Sequence, residues 1–250
     1  AQAQLSPDRP TNVPDAILDL RTGDGLSLVH GQWRYHDAQI VTAQHRDAGP
    51  DRKASGAANS TSDIAPHAGA ADYDDSEWPL IDPTSLEDRR GHGRLSFGWY
   101  RLALTVPAQI GAVEAAGATL ALEVVVDDYA EIWVDGRLPQ ILGQRGGPLV
   151  GGWNAPNRVV LTTDARPGQV VHVAVFAANG PLSEPPANYI WIRSATLDVY
   201  KPGRWNPAPE VDTRITRSDP RLDEIIAPPA QLQKLAGGFL SPSCFFIPEG

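Results

Sequence analysis

Asp127 and Asp128 are adjacent carboxylates at the end of an apolar run. A carboxylate pair can bind Ca2+, act as acid and base, or accept hydrogen bonds from sugar hydroxyls. Neighbours on a strand point to opposite faces, however, and capping a turn is the plainer role for such residues. Arg193, Tyr129 and His172 are the groups that could join them in acid–base chemistry. Trp153 and Asn154 stand in Gly151-Gly-Trp-Asn-Ala-Pro-Asn157, where an indole offers stacking area to a pyranose face. The amides of Asn154 and Asn157 offer paired hydrogen bonds to vicinal hydroxyls. Asn179, Asn188 and Tyr189 form a second group of the same chemistry. The competing account has Trp153 plugging one end of the fold while the asparagines satisfy turns. Asp72, Asp74 and Asp75, with Glu77 nearby, could hold a structural Ca2+, but they lack the glycine and terminal glutamate of an EF-hand loop.

Other chemistries find no pattern. The six histidines show no H-x-x-x-H or H-E-x-x-H spacing, so a zinc site is not expected. There is no G-x-S-x-G elbow, phosphate loop or dinucleotide fingerprint. The single Cys244 cannot form an internal disulfide, and nothing near it in sequence would lower its pKa to make a nucleophile.

The elements that must position these groups read as strands. Phe97-Gly-Trp-Tyr-Arg-Leu-Ala-Leu-Thr-Val106 mixes aromatic and β-branched residues, and Thr119 to Val126 is a near-continuous apolar run of a strand buried on both faces. Ala130 to Val134 leads into Asp135-Gly136, a two-residue hairpin signal because both central positions need a positive φ. Arg158 to Thr162, the alternating Val170 to Phe176, and Tyr189 to Val199 continue the series. Six or seven short strands without helical periodicity predict an all-β, jelly-roll β-sandwich with extended N- and C-terminal arms. Leu26 to Val41 reads as one or two further strands, with Trp33, Tyr35 and Ile40 as core contacts, and Trp99, Trp133 and Trp191 read as core.

Residues 1–25 read as an arm, 26–203 as the sandwich, and 204–250 as a proline-rich linker, with a helical turn expected at Asp219 to Ile226. Between about 44 and 72 large apolar residues almost vanish, which predicts a long loop.

The 250 residues are 42% hydrophobic and 20% charged, enough for a packed core. With 23 glycines and 23 prolines, these residues take about half again their usual share, which favours turns over a helical bundle. The net charge of −9, with Arg89, Arg90 and Arg94 as the densest basic cluster, argues against nucleic acid as a partner. No apolar stretch is long enough for a membrane span. The absence of methionine and the opening Ala1-Gln2-Ala3 suggest a processed, exported chain, periplasmic or secreted, although a boundary without cellular meaning would look the same.

Several motifs occur in a familiar order: Gly31-Gln-Trp-Arg-Tyr35, Asp74-Asp-Ser-Glu-Trp78, Phe97-Gly-Trp-Tyr-Arg101, Asp127-Asp-Tyr-Ala-Glu-Ile-Trp-Val-Asp-Gly136 and Gly152-Trp-Asn154. Together they resemble the galactose-binding-like jelly-roll that serves as the sugar-binding domain of family 2 glycoside hydrolases. The longer run, with Asn179-Gly-Pro181 and Pro186-Ala-Asn-Tyr-Ile-Trp-Ile-Arg-Ser194, looks like the domain that precedes the β-propeller of some bacterial SMP-30/gluconolactonase-like proteins. It covers roughly residues 28 to 203. Leu232-Gln-Lys-Leu-Ala-Gly-Gly-Phe239 is similar to the lead-in of that propeller, but the glutamate-bearing segment expected next is replaced by Leu240-Ser-Pro-Ser-Cys244. The resemblance therefore implies that the lactonase metal site lies outside these residues. It also allows a structural Ca2+ at Asp72, Asp74 and Asp75, since galactose-binding-like folds often hold one, while no cofactor is firmly expected.

Three functions remain open at this level. The first, preferred, is a non-catalytic carbohydrate-binding or accessory module whose partner is a sugar, another small molecule or a propeller domain. The second is a hydrolase acting on a sugar lactone or related substrate through Asp127, Asp128 and Arg193. The third is a structural domain for homo-oligomer formation. The sequence does not name the ligand.

Overall fold

The computed structural model describes residues 13–127, 129–138, 150–151, 156–180, 188–204 and 221. The expected helical turn after Asp219, Cys244 and the propeller-like lead-in lie outside the described residues, apart from Arg221. The chain divides into one unit spanning Pro14–Lys201 and another comprising Ala1–Val13 with Pro202–Gly250.

In chain order the elements of the Pro14–Lys201 unit are β1 (Ala16–Asp19), α1 (Gly23–Leu28), β2 (Gln32–Asp37), β3 (Gln39–Arg46), β4 (Ala58–Ala65), β5 (Leu80–Ile81), a 3-10 turn (Pro83–Ser85), β6 (Ser96–Thr105), β7 (Gln109–Ile110), β8 (Val113–Glu114), β9 (Thr119–Asp127), β10 (Tyr129–Val134), β11 (Val150–Gly151), β12 (Pro156–Thr162), β13 (Val170–Asn179) and β14 (Trp191–Tyr200). A four-stranded antiparallel sheet has the order β1-β14-β9-β12, and a six-stranded one the order β11-β10-β13-β6-β2-β5. From β9 onward the chain crosses repeatedly between the two sheets, β9, β12 and β14 lying in one and β10, β11 and β13 in the other, and the all-β sandwich expected from the sequence is the architecture observed.

The core follows from period-2 alternation. Leu120, Leu122, Val124 and Val126 of β9 face Val171, Val173, Val175 and Ala177 of β13 and Tyr100, Leu102 and Leu104 of β6, all fully or almost fully buried. Each such aliphatic side chain is worth roughly 1.5–3 kcal/mol of burial. Trp33 is buried completely, and its indole N–H donates to the Leu20 carbonyl at 3.0 Å, so the ring brings no unsatisfied donor into the core.

The Asp135-Gly136 signal is realised. Their φ angles are 47° and 76°, and Val134 and Arg137 exchange backbone bonds of 2.8 and 3.0 Å across the turn. Gly136 meets the positive φ without a Cβ penalty.

Four expectations are revised. The stretch expected as a loop at 44–72 contains most of a hairpin, β3 paired with β4 from Gln39↔Ala65 to Arg46↔Ala58. Within 44–65 its one large apolar side chain is Ile64, so the ladder there rests on backbone bonds and leaves no apolar period to read. Ile40 consequently lies 55% exposed on that hairpin, outside the core. Residues 16–19, expected in an arm, form the edge strand β1 on β14. Finally, residues 23–28, which span the end of the expected arm and the start of the strand region predicted from Leu26, are helical, capped by the Thr22 side chain, which accepts from Gly25 N–H at 3.0 Å.

The outer face of the six-stranded sheet is also covered. Residues 66–78 lie over it, and Ala38, Ala68, Trp78, Trp99, Ala174 and Phe176 form a second buried cluster there. Trp99 is therefore buried as expected, but on the outer side and not between the sheets. Its indole N–H donates to the Pro66 carbonyl at 2.8 Å.

Candidate functional site

Strand direction gathers one end of the sandwich. β9 and β13 finish there, β6, β10, β12 and β14 begin there, and the segment 88–95 crosses it. The inward alternation of β12 and β13 directs Asn157 and Asn179 into this mouth from opposite sheets. Asn157 is 2% and Asn179 8% exposed, and the side-chain oxygen of each has no hydrogen-bond partner among the described residues. The Asn179 amide donates to the Tyr189 carbonyl at 2.8 Å, which fixes which end of the amide is the free acceptor.

The rim around these residues is built from reciprocal backbone bonds. Arg90 and Ile190 exchange bonds of 2.9 and 3.0 Å, and Asn188 N–H donates to the Gly93 carbonyl at 2.6 Å. The Asn188 side chain donates to the Arg94 carbonyl at 3.0 Å. Buried Ser96 accepts from His92 and Gly93 N–H at 3.1 and 3.3 Å. Asn188 and Tyr189 thus hold the rim together, while Asn157 and Asn179 keep acceptors to spare.

Below the rim, Arg90 lies over the rings of Tyr35 and Tyr100 at 5.5 and 5.8 Å while donating to the carbonyls of Ser85 and Asp88. The Tyr35 hydroxyl donates to Asp37 at 2.6 Å, and burial first, then this bond, raises its pKa far above the phenol range.

The sequence-selected residues are divided among several places. Asn157, Asn179, Asn188 and Tyr189 share one end; Trp153, Asn154 and Asp128 lie outside the described residues. Asp127 is 4% exposed at the same end, but β9 alternation turns it to the outside of its sheet. Arg193 is exposed at the bulge of β14, its carbonyl accepting from the Arg21 guanidinium at 2.6 Å. His172 does not join the proposed acid–base group. It sits six residues before Ala178 on β13, about 20 Å from the row of Tyr129, beside Asp135 at 3.6 Å.

The acidic stretch is committed to the fold. Asp75 pairs with Arg101 at 2.7 Å and Arg34 at 3.7 Å. Asp74 accepts from Ser76 N–H at 3.0 Å, and hydrogen bonding from Ser76 holds its carboxyl below the usual range. Asp72 lines a cavity of about 370 Å³ with Asp74, Arg101 and His172. Among the described residues no three His, Cys, Asp or Glu side chains converge as a metal-holding group. An open groove of about 980 Å³ at the far end of the same sheet is lined by His30, Arg34, Leu80 and Ala103 among others.

The outer sheet face also carries a group that sequence reasoning missed. On β10, Tyr129 Oη and Trp133 Nε1 both donate to the Glu131 carboxylate, at 2.8 and 3.1 Å. The strand alternation Tyr-x-Glu-x-Trp was the available signal. Trp133 and Trp191 are half-buried, not core: Trp133 packs against Trp99, and Arg89 lies 5.6 Å over the Trp191 ring.

The described unit is an all-β sandwich with a polar mouth at one end and a covered aromatic layer on one outer face. No protein-family model and no curated protein matches the sequence. Among solved structures, its neighbours include chains described as members of glycoside hydrolase family 2, and other β-glycosidases. A glycosyl hydrolase family 2 member from Bacteroides cellulosilyticus is 17% identical over 77% of this chain and 21% of its own, with a TM-score of 0.43. The Faecalibacterium prausnitzii β-glucuronidase is 16% identical over 80% of this chain and 33% of its own, with a TM-score of 0.35. A Kluyveromyces marxianus β-glucosidase in complex with glucose is 13% identical over 76% and 19%, with a TM-score of 0.30. The chain thus spans about a fifth of the length of the first of these proteins. No helix among the described residues is long and apolar enough to cross a membrane.

Proposed function

We propose that this chain is a non-catalytic carbohydrate-binding module whose ligand meets the mouth between β12 and β13. The observation that supports this most directly is the pair of buried, unpartnered amide oxygens, Asn157 Oδ1 and Asn179 Oδ1, facing inward from opposite sheets at one end. An unsatisfied buried acceptor costs about 1–3 kcal/mol, so the free protein holds two sites that a hydroxyl donor would relieve. A polyol bearing several hydroxyls satisfies both, and the half-buried Tyr189 ring at the rim provides apolar area for its C–H face.

The resemblance of residues 28–203 to the domain preceding a gluconolactonase-type propeller supports an accessory role beside such an enzyme, in the periplasm or outside the cell. Loss of His172 from the proposed acid–base group weighs against the hydrolase alternative, since Asp127 and His172 cannot act on one substrate.

Isothermal titration of the full chain against a panel of mono- and oligosaccharides tests the proposal. Binding at about millimolar or tighter is expected, weakened at least about tenfold in Asn157→Ala and Asn179→Ala. No binding to any sugar in the panel at these concentrations would reject it.

A further inference from the structure

The outer face of the six-stranded sheet has a regular side-chain lattice. Tyr129, Ala178 and Phe97 are direct cross-strand neighbours on β10, β13 and β6. The next row begins with Glu131 and Phe176, and the one after with Trp133. The small Ala178 separates the half-buried rings of Tyr129 and Phe97 by two strand spacings, about 10 Å. Phe176 lies almost parallel to Phe97, at 14° with centroids 6.3 Å apart, and forms the floor. Between the aromatic groups the Glu131 carboxylate is held by Tyr129 Oη and Trp133 Nε1, one on each oxygen. Each of those oxygens has one donor and keeps a further lone pair.

This lattice differs from the rest of the sheet's outer face. Residues 66–78 cover Trp99 and Arg101, whereas Tyr129, Phe97 and Ala178 stay partly open at the edge of that cover. It borders the mouth across the end of the sheet: Ala178 directly precedes Asn179, and Phe97 directly follows Ser96, which pairs with Asn179, so the row faces outward where Asn179 faces in, and a ligand reaches it by passing over the strand ends.

Resting on the carbohydrate reading above, we infer that the ligand is an oligosaccharide chain, which runs from the mouth over the Tyr129–Phe97 row with Glu131 accepting its hydroxyls. Aromatic rings at disaccharide spacing favour the apolar faces of alternate sugar units, and a carboxylate locked between them favours hydroxyl donors over an anionic ligand. The mouth alone would suit a single sugar; the row beside it gives a reason for length.

The test is calorimetric titration of the full chain with glucose, xylose and N-acetylglucosamine, and with cello-, xylo-, chito- and malto-hexaose. One hexasaccharide should bind at least about tenfold more tightly than its monosaccharide. Tyr129→Ala and Phe97→Ala should lose about five- to tenfold in hexasaccharide affinity and leave monosaccharide affinity unchanged. Tyr129→Phe, which keeps the ring and removes only the bond to Glu131, should retain most of it, and Glu131→Gln should weaken it. Equal affinity for one and six units, or wild-type hexasaccharide binding by Tyr129→Ala, overturns this inference while the mouth remains testable through Asn157→Ala. Failure of every sugar to bind overturns both.

Discussion

Arg101 and Asp75 form the ion pair that ties residues 66–78 to the outer sheet face, with Nε and Oδ2 2.7 Å apart and the arginine side chain only 5% exposed. The same guanidinium donates to the carbonyls of Ala68, Ala70 and Tyr73 and lies 5.3 Å over the Tyr73 ring. One side chain therefore satisfies three backbone acceptors of a segment that has little regular structure. A planar fork with five donors suits this geometry; a lysine ammonium does not.

Asp75→Ala should consequently lower stability by about 2–3 kcal/mol, because it leaves a buried charge with only neutral partners. Urea unfolding measures this as a lower midpoint with an unchanged slope. Arg101→Lys should lose a comparable amount despite keeping the charge. A wild-type midpoint for Asp75→Ala would show that the aromatic cluster alone holds the segment.

Gly93→Ala should disturb the rim more than the core. Its φ is +80°, and a Cβ there would lie 2.8 Å from the Tyr189 ring. The left-handed backbone alone costs an L-residue about 1–2 kcal/mol, and the ring must also move. The expected outcome is modest destabilisation with a larger relative loss of sugar affinity, read by thermal unfolding and titration of the same sample.

Two carboxylates on the outside of the four-stranded sheet impose a pH dependence. Burial raises the pKa of Asp198 even though Arg158 pairs with it, and burial likewise raises that of Glu123. Tyr200, bonded to the same Arg158, is pushed up to about 12. A carboxyl with a raised native pKa binds more protons folded than unfolded. Its contribution is complete below the unfolded value, near 3.9 for Asp, and is lost as the pH rises through the native value. Wild type should therefore gain stability relative to Asp198→Asn as the pH falls from about 7 to about 4. Hydrogen-bonded Asp51, Asp63, Asp74 and Asp82 are shifted downward, and their contribution is lost as the pH falls below the unfolded value. The comparison must thus be made between variant and wild type at each pH, by urea unfolding. A stability difference independent of pH would contradict the assignment to Asp198.

The long strands β6, β9, β10, β12, β13 and β14 were legible in the sequence because a sheet between a packed core and a covered face leaves a period-2 or near-continuous apolar record, whereas the two-residue strands β7, β8 and β11 are too short to leave one. β9 and β13 show both forms. The Asp135-Gly136 turn was legible for an equally local reason, since few residues tolerate two successive positive φ angles. The β3–β4 hairpin was not legible: its stabilising bonds belong to the backbone, and its Ala, Ser, Thr and Gln side chains carry no burial pattern. For the site, Asn157, Asn179, Asn188 and Tyr189 could be chosen by type, while their division of labour could not. Asn188 closes the rim, and Asn157 keeps a free acceptor, because of neighbours dozens of residues away.

The amino-acid order by itself determined the sandwich, since alternation and turn propensity act over a few residues. Tertiary packing alone decided that the acidic stretch clamps Arg101, that His172 stands apart from Asp127, and that Tyr129, Glu131 and Phe97 share one surface. Those relations depend on strand register between distant segments, which burial of the whole core sets and no local window contains.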